Sequence, residues 1–318
     1  MDDYAALRDN TQQPLFNRAL RGQYPPGSTI KPFVGLAGLE GGITTRHSST
    51  YCPGFYSLPG NSRKFRDWKR TGHGTVNLGK SIVQSCDVYF YDLALSLGID
   101  RIHDYLQNFG FGQASGIDIQ GELSGLLPSR TWKRNRHDQP WFPGETLITG
   151  IGQGFFLVTP VQLATATAAL ANGGRLLQPN IVYAEQEANS DDLLPHQPRM
   201  RDTITITEQQ HWDVVIESMT DVVHSARGTA RRIGEDSPWT IAGKTGTAQV
   251  YGLKQEEKYD AEAIPEELRD HALFIAFAPV EAPRIAVAVI IEHGGGGGSV
   301  AAPVARAILD AYLQGESS

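Results

Sequence analysis

The sequence has little cysteine and no long apolar stretch. It contains two cysteines, Cys52 and Cys86, among 318 residues, which excludes the disulfide framework that stabilises many small secreted domains. No apolar run approaches the ~20 residues that a membrane-spanning helix requires. The acidic start, Met1 to Tyr4, has no apolar core of a signal peptide. We therefore expect either a cytosolic protein or a fragment of a longer exported chain.

An excess of positive charge is also absent. Lysine and arginine number 28 and aspartate and glutamate 35, so the formal net charge is −7 at pH 7. Proteins that bind nucleic acid use a basic surface to neutralise phosphates, so the charge balance argues against nucleic acid as a partner. Hydrophobic residues make up 40% of the chain and charged residues 20%, which excludes wholesale disorder and permits a sizeable core.

Helical and strand patterns occupy different parts of the chain. Helices are predicted from Ser28, over 77–97 with a break at Ser85–Asp87, and from Thr159. Residues 43–75 have the composition of a long loop. Strands are predicted over 239–251, 271–280 and 284–293, followed by a final helix over 300–313. This order predicts an α+β fold, with an antiparallel sheet on which the terminal helix packs.

A serine and a lysine stand three residues apart at the start of the first buried helix. Ser28 and Lys31 therefore lie on one face of its first turn. Burial disfavours the charged form of a lysine, and a neutral amine can accept the proton of an adjacent hydroxyl. The spacing makes Ser28 a candidate nucleophile and Lys31 its candidate base.

Two further short motifs contain residues suited to acyl transfer. Ser85-Cys86-Asp87 separates two helical patterns, where a loop can present a hydroxyl and a carboxylate to a cleft. Lys244-Thr245-Gly246-Thr247 lies inside a predicted strand. A glycine within a strand often marks the close approach of another backbone, and a lysine before it adds positive potential for an anionic substrate.

The order of the three motifs is similar to the signature of penicillin-binding proteins and class A β-lactamases. Further stretches extend the likeness over most of the chain: Tyr24–Pro32, Arg66–Trp68, Gly150–Gly154 and Lys244–Gln249. With them, the sequence resembles the class B penicillin-binding proteins, and among these the cell-elongation transpeptidases of rod-shaped Gram-negative bacteria.

The resemblance implies a fold and a domain organisation. The implied fold is the transpeptidase fold of penicillin-binding proteins and serine β-lactamases, an antiparallel sheet flanked by helices plus an all-helical subdomain. Residues 1–318 are then a single transpeptidase domain. The helical subdomain, roughly 44–170, is inserted into an α/β subdomain formed by 1–43 and 171–318.

The resemblance also implies a role for each catalytic residue. Ser28 is the acylated nucleophile, and Lys31 is the base for acylation. Ser85 relays a proton to the leaving group, and Lys244 steadies that network and the substrate carboxylate. The backbone N–H groups of Ser28 and Thr247 form the oxyanion hole. This chemistry implies no catalytic cofactor.

The implied substrate-binding residues are Asp87, Thr245, Gly246 and Thr247. The two threonine hydroxyls hold the carboxylate of a terminal D-alanine. Asp87 departs from the family, which usually has an asparagine there whose amide binds the substrate peptide. An ionised aspartate has no N–H donor, so Asp87 is expected to be a structural acceptor or a lysine partner instead.

Three other functions remain open from the sequence. A class A β-lactamase needs a second base for deacylation, and neither Glu122 nor Glu145 is followed by its usual Glu-x-x-Leu-Asn signature. A slowly deacylating enzyme with an amine acceptor is therefore favoured over a β-lactamase or a D,D-carboxypeptidase. The third alternative, a non-enzymatic penicillin-sensing receptor domain, binds β-lactams covalently but turns over no peptidoglycan.

The resemblance implies a compartment and partners as well. The substrate is a peptidoglycan stem peptide that ends in D-Ala-D-Ala, and β-lactam antibiotics are the inhibitors. The partners are a RodA-type glycan polymerase and an MreC-type elongation scaffold. The full-length protein is expected on the periplasmic face of the inner membrane with a single-pass anchor, of which this chain is a soluble fragment.

The two cysteines form a candidate metal site with an aspartate and a histidine between them. Cys52, Asp67, His73 and Cys86 offer two thiolates, a carboxylate and an imidazole, a ligand set for structural zinc. Cys86 is the middle residue of the second motif, so a metal there supports that motif from behind. A Cys52–Cys86 disulfide and two inert buried thiols are the alternatives.

A charged segment follows the third motif. Residues 252–270 hold seven acidic and three basic side chains and little to bury. Since the segment leaves directly from the predicted catalytic strand, we consider it either a charged surface loop or a lid over the substrate cleft.

Overall fold

Helices dominate the first half of the chain, and the longest strands follow them. The computed structural model describes residues 2–188, 191–250 and 264–315. Within these residues the α-helices are α1 (Asp2–Arg8), α2 (Arg18–Arg21), α3 (Lys31–Glu40), α4 (Leu78–Val83), α5 (Asp87–Leu97), α6 (Ile99–Gln107), α7 (Arg130–His137), α8 (Pro143–Thr149), α9 (Pro160–Ala171), α10 (Gln209–His224) and α11 (Ala302–Gly315). The strands are β1 (Ser49–Cys52), β2 (Phe55–Tyr56), β3 (Phe65–Arg66), β4 (Gly74–Asn77), β5 (Arg175–Leu177), β6 (Ala184–Gln186), β7 (Leu193–Pro195), β8 (Met200–Thr203), β9 (Ala242–Ala248), β10 (His271–Ala278) and β11 (Ile285–Ile291).

The three longest strands form one antiparallel sheet. Its order is β11-β10-β9, with His271 opposite Ala248 and Phe277 opposite Ala242. Helices α9 and α11 pack on β10 and β11, and α10 packs on β9. Because protein covers both of its faces, β10 is apolar at nearly every position rather than at alternate ones.

Helix α3 lies at the centre of the core. Its residues from Lys31 to Leu39 are buried, and the ring of Phe33 meets Phe109 and Phe111 edge-on at 4.9 and 5.3 Å. An apolar helix without a polar face has to be surrounded by protein, and α5, α6 and α10 pack around it. A 3₁₀ turn, Gly27–Ile30, leads into α3 and carries the first motif.

The predicted α+β fold is confirmed, with one difference in the region between α3 and α4. Residues 43–75 were predicted to be loop, but the segment 43–77 contains two antiparallel strand pairs, β1 with β4 and β2 with β3. The subdomain of roughly 44–170, expected to be all-helical, therefore also contains the short strands β1 to β4. Strands of two to four residues are too short for a period-two pattern to be detected in the sequence.

In the described ranges, no helix combines the length and the apolar character that crossing a bilayer demands.

The charged segment 252–270 is described only in part. Residues 252–263 lie outside the described residues, and the short 3₁₀ turn Glu266–Leu268 follows them.

Candidate active site

The first motif lies where the 3₁₀ turn joins α3. Ser28 is partly exposed in that turn, whereas Lys31, one turn further, is completely buried. Gly27 has a φ of +53°, and a Cβ there would lie 2.5 Å from the carbonyl oxygen of Thr247. Because only glycine tolerates both conditions, the turn that carries Ser28 packs directly against the third motif.

The amine of Lys31 joins α3 to the second motif. Its Nζ donates to Ser85 O at 2.9 Å, to Ser85 Oγ at 3.3 Å and to Asp87 Oδ1 at 2.7 Å. The Lys31 and Asp87 side chains are 0% and 11% exposed, so they form a buried ion pair. The three acceptors match the three N–H donors of the amine, which is the condition under which a buried charge is tolerated.

Ser85 is the residue at which both catalytic lysines meet. Lys244 Nζ donates to Ser85 Oγ at 2.9 Å and to the carbonyl oxygen of Thr245, also at 2.9 Å. Ser85 has a φ of +56°, in the left-handed region that residues other than glycine rarely adopt. Strain of this kind persists where the surrounding contacts over-determine the conformation, typically at functional sites.

The two buried amines have different surroundings. Lys31 faces the carboxylate of Asp87, whereas Lys244 contacts hydroxyl and carbonyl oxygens. Burial lowers the pKa of Lys244 well below its usual value, and the positive charge of Lys31 lowers this pKa further. A lysine with a lowered pKa releases its proton more easily, which suits proton exchange with Ser85.

Asp87 uses both carboxylate oxygens within the protein. Oδ1 accepts from Lys31, and Oδ2 accepts from the backbone N–H of Trp68 at 3.0 Å. The residue is 8% exposed. Asp87 thus has the contacts of a lysine partner and a structural acceptor.

The third motif occupies β9, which is an edge strand of the sheet in the part of the chain that the structure describes. Thr245 Oγ1 lies 2.8 Å from Thr229 Oγ1, which orients this hydroxyl. A Cβ on Gly246 would lie 2.7 Å from Thr29 Cγ2, so this glycine permits the close approach predicted from its place in the strand. The partly exposed Thr247 accepts at its carbonyl oxygen from Gln153 Nε2 at 2.9 Å.

Sequence reasoning assigned no role to several residues that hold the motifs together. Gly152 O accepts from Gly27 N–H at 2.8 Å, beside the contact of Gln153 with Thr247. Both residues belong to the Gly150–Gly154 stretch that carried part of the family resemblance. Thr229 lies in no motif, and no local pattern marks its contact with the third motif.

The four predicted metal ligands converge behind the second motif. Cys52 Sγ lies 3.6 Å from His73 Nδ1 and 3.5 Å from Asp67 Oδ2, and Cys86 Sγ lies 3.4 Å from the same carboxylate oxygen. The ligand atoms all lie within 4.8 Å of one another. Both cysteines are free and buried, and burial raises the pKa of each thiol.

Asp67 connects this cluster to the second motif. Its Oδ2 accepts from the backbone N–H groups of Asp87 at 2.8 Å and Val88 at 3.2 Å, so it caps the N-terminus of α5. Burial would raise the pKa of Asp67, but hydrogen bonds from His73 and the Lys69 N–H, with other nearby positive charge, lower it to about 2. The cluster therefore holds a carboxylate that stays ionised.

The site has the components of serine enzymes that form an acyl-enzyme. These are a partly exposed serine, a buried lysine one turn away from it, and a second serine that both lysines contact. The chain belongs to the penicillin-binding protein transpeptidase family, because the family described as "Penicillin binding protein transpeptidase domain" matches residues 3–310. The resemblance of the sequence to this family is thereby confirmed.

Curated relatives specify the likeness further. The chain is 42% identical over 313 residues to the peptidoglycan D,D-transpeptidase MrdA of Haemophilus influenzae, which covers 98% of this chain and 48% of that protein. It is 46% identical to the MrdA of Acinetobacter baumannii, over 98% of this chain and 45% of the relative. The chain thus spans about half the length of the curated relatives it matches.

Solved structures agree with these relatives. The crystal structure of Pseudomonas aeruginosa PBP2 in complex with WCK 5153 superposes with a TM-score of 0.85 at 47% identity, covering 98% of this chain and 64% of that one. The complex of Helicobacter pylori PBP2 with MreC gives a TM-score of 0.84 at 35% identity, covering 99% and 54%. The fold and the predicted likeness to elongation-type transpeptidases are therefore confirmed.

Proposed function

We propose that this chain is the catalytic domain of a peptidoglycan D,D-transpeptidase that acts in cell elongation and is inhibited by β-lactams. Ser28 Oγ attacks the carbonyl carbon between the two terminal D-alanines of a stem peptide. The peptide C–N bond breaks, the terminal D-alanine leaves with a proton on its nitrogen, and an ester to Ser28 forms. An amine of a second stem peptide then attacks the ester, and the serine oxygen recovers a proton.

The observation that carries this proposal is the buried hydrogen-bonded group formed by Lys31, Ser85, Asp87 and Lys244 beside Ser28. Lys31 lies in an ion pair with Asp87, so it serves as the base for Ser28 after it has given a proton to Ser85. Ser85 passes protons between the two lysines and to the leaving nitrogen. Both lysines contact Ser85 Oγ, at 3.3 and 2.9 Å, which supports such a relay. All of these groups belong to the chain, so the chemistry needs no catalytic cofactor.

Substrate binding falls to the part of β9 that holds Thr245, Gly246 and Thr247. The Thr245 and Thr247 hydroxyls hold the substrate carboxylate, and Gly246 lets the strand lie against the turn of Ser28. The N–H groups of Ser28 and Thr247 form the oxyanion hole. Asp87 acts through Lys31 and Trp68 rather than on the substrate, because both of its oxygens already accept hydrogen bonds.

Intact mass spectrometry after incubation with benzylpenicillin tests the nucleophile. The wild-type mass should rise by one whole antibiotic molecule, with the adduct on Ser28, and the Ser28→Ala variant should remain unmodified. Ser124→Ala, which removes an exposed hydroxyl elsewhere, is the matched control and should be acylated normally. An adduct on Ser28→Ala would contradict the assignment.

The acceptor distinguishes this function from its alternatives. With a thioester of an N-acyl-D-alanine as donor, a transpeptidase forms a peptide with an added amine, whereas a carboxypeptidase or β-lactamase gives hydrolysis only. A penicillin-sensing domain is acylated by the antibiotic but turns over no donor. Chromatography of the products separates the three outcomes.

The family resemblance extends the proposal to the cellular setting. PBP2 of Helicobacter pylori forms a complex with MreC, and an MreC-type scaffold and a RodA-type polymerase are the proposed partners here. The proposed location is the periplasmic face of the inner membrane. The proposed internal organisation is a subdomain of about 44–170 inserted between 1–43 and 171–318.

Structural zinc is the proposed occupant of the cluster formed by Cys52, Asp67, His73 and Cys86. Sulfur and nitrogen ligands of tetrahedral zinc lie about 3.6 Å apart, and Cys52 Sγ and His73 Nδ1 are 3.6 Å apart. The donor set, two thiols, an imidazole and an ionised carboxylate, fits that metal. Bound zinc would link the segment 52–73 to Cys86 of the second motif. It would take no part in the reaction.

Metal analysis of protein purified without added zinc tests this site. About one zinc per chain is expected, with loss of the metal in Cys86→Ala and His73→Ala. His196→Ala, an exposed histidine far from the cluster in sequence, should retain it. Metal-free protein without titratable thiols after denaturation would show the disulfide instead.

A further inference from the structure

Gln153 is a partly exposed polar residue beside the catalytic groups, and the proposed reaction assigns it no part. It follows α8 and belongs to none of the three motifs. Its side-chain Nε2 donates to the carbonyl oxygen of Thr247 at 2.9 Å, across 94 residues of sequence. Thr247 supplies one of the two proposed oxyanion donors, so Gln153 contacts the residue at which the negative charge of the reaction is proposed to be stabilised.

Both backbone groups of Thr247 lie on the side of β9 that faces the turn of Ser28. In an antiparallel strand, the N–H and the C=O of one residue point to the same side. A Cβ on Gly27, the residue before Ser28, would lie 2.5 Å from the carbonyl oxygen of Thr247 and 3.2 Å from its nitrogen. The C=O that Gln153 binds and the N–H proposed for the oxyanion hole therefore share one side of the strand.

The residue before Gln153 contacts the turn that carries the other proposed donor. Gly152 O accepts from the N–H of Gly27 at 2.8 Å, and Ser28 is the next residue along the chain. A Cβ on Gly152, whose φ is +72°, would lie 2.2 Å from the carbonyl oxygen of Gly27, so the two backbones are in direct contact. Residues 152 and 153 thus contact both sides of the proposed oxyanion hole, the serine turn and the third motif.

The segment 150–153 is itself held by the helices behind it. The backbone N–H of Gln153 donates to Ile148 O at 2.9 Å and so satisfies a carbonyl in the last turn of α8. A Cβ on Gly150 would lie 2.3 Å from Ala94 Cβ, so α8 ends against α5, the helix that begins in the second motif. Because its backbone is fixed in this way, Gln153 presents its amide from a rigid support.

Thr247 needs such a restraint because β9 ends directly after it, at Ala248. Residues near the end of an element open more easily than those in its middle. Oxyanion donors are effective because they are already oriented before the charge develops. A displacement of the Thr247 N–H therefore weakens the stabilisation of the transition state, and the hydrogen bond from Gln153 opposes that displacement.

We propose that Gln153 is a positioning residue whose amide holds the backbone of Thr247, so that the Thr247 N–H stays directed at the oxyanion. The inference rests on the proposed acyl-transfer function and adds one residue to it. Gln153 exchanges no proton and forms no bond to the reacting atoms. Its loss should therefore slow the chemical step of acylation and leave the first, non-covalent complex with the antibiotic unchanged.

Rapid-mixing measurements of acylation at increasing concentrations of benzylpenicillin test this role. They separate the rate constant of acylation from the dissociation constant of the non-covalent complex. Gln153→Met keeps the length of the side chain but has no N–H, so the acylation rate constant should fall about tenfold, the upper end of the effect of one neutral hydrogen bond. The dissociation constant should not change. Gln178→Met, which removes an amide that donates to the carbonyl oxygen of Gly116 outside the motifs, is the matched control and should behave as wild type.

The pH profile of Gln153→Glu distinguishes positioning from a merely structural role. An ionised carboxylate cannot donate to the Thr247 carbonyl oxygen, whereas a protonated carboxyl group can. The acylation rate constant of this variant, divided by that of wild type, should be low at about pH 8 and rise as the pH falls toward about 5, because the carboxyl group takes up a proton. The division removes the pH dependence of the catalytic lysines, which both proteins share.

The outcomes separate this inference from the proposed function. Failure of benzylpenicillin to acylate wild-type Ser28 would contradict the proposed function itself. Normal acylation of wild type with an unchanged rate constant in Gln153→Met would overturn the role of Gln153 alone. A weaker non-covalent complex without a slower chemical step would overturn it too, as would a ratio for Gln153→Glu that stays constant over the pH range.

Discussion

Two regions position the second catalytic motif, and they do so by different physical means. The framework formed by α3 and β9 is held by apolar packing, with nearly every residue of both elements buried. The segment 43–77 has strands of two to four residues and contacts the motif through the polar side chain of Asp67. Apolar packing therefore positions the two lysines that contact Ser85, whereas buried hydrogen bonds to Asp67 position the backbone of Asp87 and Val88.

The largest effect is expected where the two regions meet, at Asp87. Replacing it by alanine leaves the buried amine of Lys31 without its carboxylate and the Trp68 N–H without its acceptor. Breaking a buried ion pair on one side costs roughly 3–5 kcal/mol. Urea unfolding of Asp87→Ala should show a loss of free energy of unfolding of that size.

Asp87→Asn is the matched comparison for that variant. The amide oxygen of asparagine can still accept from Lys31, so the loss of stability should be smaller than for alanine. Equal losses in the two variants would show that the hydrogen bond from Lys31 contributes nothing beyond the charge.

The next effect is expected in the polar region, at Asp67. The Asp67→Ala variant leaves the N–H groups of Asp87 and Val88 without an acceptor, and each unsatisfied buried group costs about 1–3 kcal/mol. The unfolding free energy should fall by at least about 2 kcal/mol, and acylation by benzylpenicillin should slow because the second motif is held less firmly. Asp100→Ala removes an exposed ion pair with Arg130 and should cost less than about 1 kcal/mol.

A similar loss of unfolding free energy in Asp67→Ala and Asp100→Ala would contradict the expected difference between a buried helix cap and an exposed ion pair. So would an Asp67→Ala protein that is destabilised but is acylated at the wild-type rate. In that second case the contacts of Asp67 would stabilise the fold without positioning Ser85.

In the packed framework, Lys244 is expected to make stability depend on pH. Its pKa is lowered in the folded state, whereas an unfolded lysine has a pKa of about 10.4. Between these two values the unfolded state binds more protons, so the free energy of unfolding rises with pH, by up to about 1.4 kcal/mol per unit. Unfolding curves at neutral to alkaline pH should show this slope, and it should be smaller in Lys244→Met.

Lys64→Met, which removes an exposed lysine, should retain the wild-type slope. A slope that is the same in wild type and in Lys244→Met would mean that another group titrates in this range.

The smallest effect concerns the strained turn between the two regions. Ser85 has a φ of +56°, a conformation that costs a non-glycine residue about 1 kcal/mol. Ser85→Gly and Ser85→Ala both lose the hydroxyl and should both be impaired in acylation. The glycine variant should nevertheless be more stable than the alanine variant by about 1 kcal/mol, as measured by denaturant unfolding, and equal stabilities would argue against strain at this position.

The sequence predicted the framework better than the segment 43–77. An apolar helix, its flanking glycines and three strand-like stretches are local patterns, and α3, β9, β10 and β11 occur where they were predicted. The short strand pairs β1–β4 and β2–β3 were missed, because pairing over so few residues depends on the surrounding contacts rather than on local propensity. The chemistry-bearing residues of the segment, Cys52, Asp67 and His73, were nevertheless picked out by type.

The supporting residues of the site were the part that residue patterns missed. Gln153 contacts Thr247 across 94 residues of sequence. Thr229 contacts Thr245 from a turn that has no motif. Such contacts follow from how helices and strands pack, for which a single sequence carries no spacing rule.

The sequence by itself determined which groups can react: a serine and a lysine on one helical face, a second serine at a helix break, and a lysine before a strand glycine. Local geometry is set by residues three or four positions apart, so these relations can be derived without a structure. Only the tertiary structure decided that Lys31 and Lys244, which lie 54 and 159 residues from Ser85, meet at its hydroxyl. It also decided that Asp87 pairs with a lysine and that Asp67 caps α5, because burial makes an unpaired charge or N–H costly and so selects the partners that packing brings within reach.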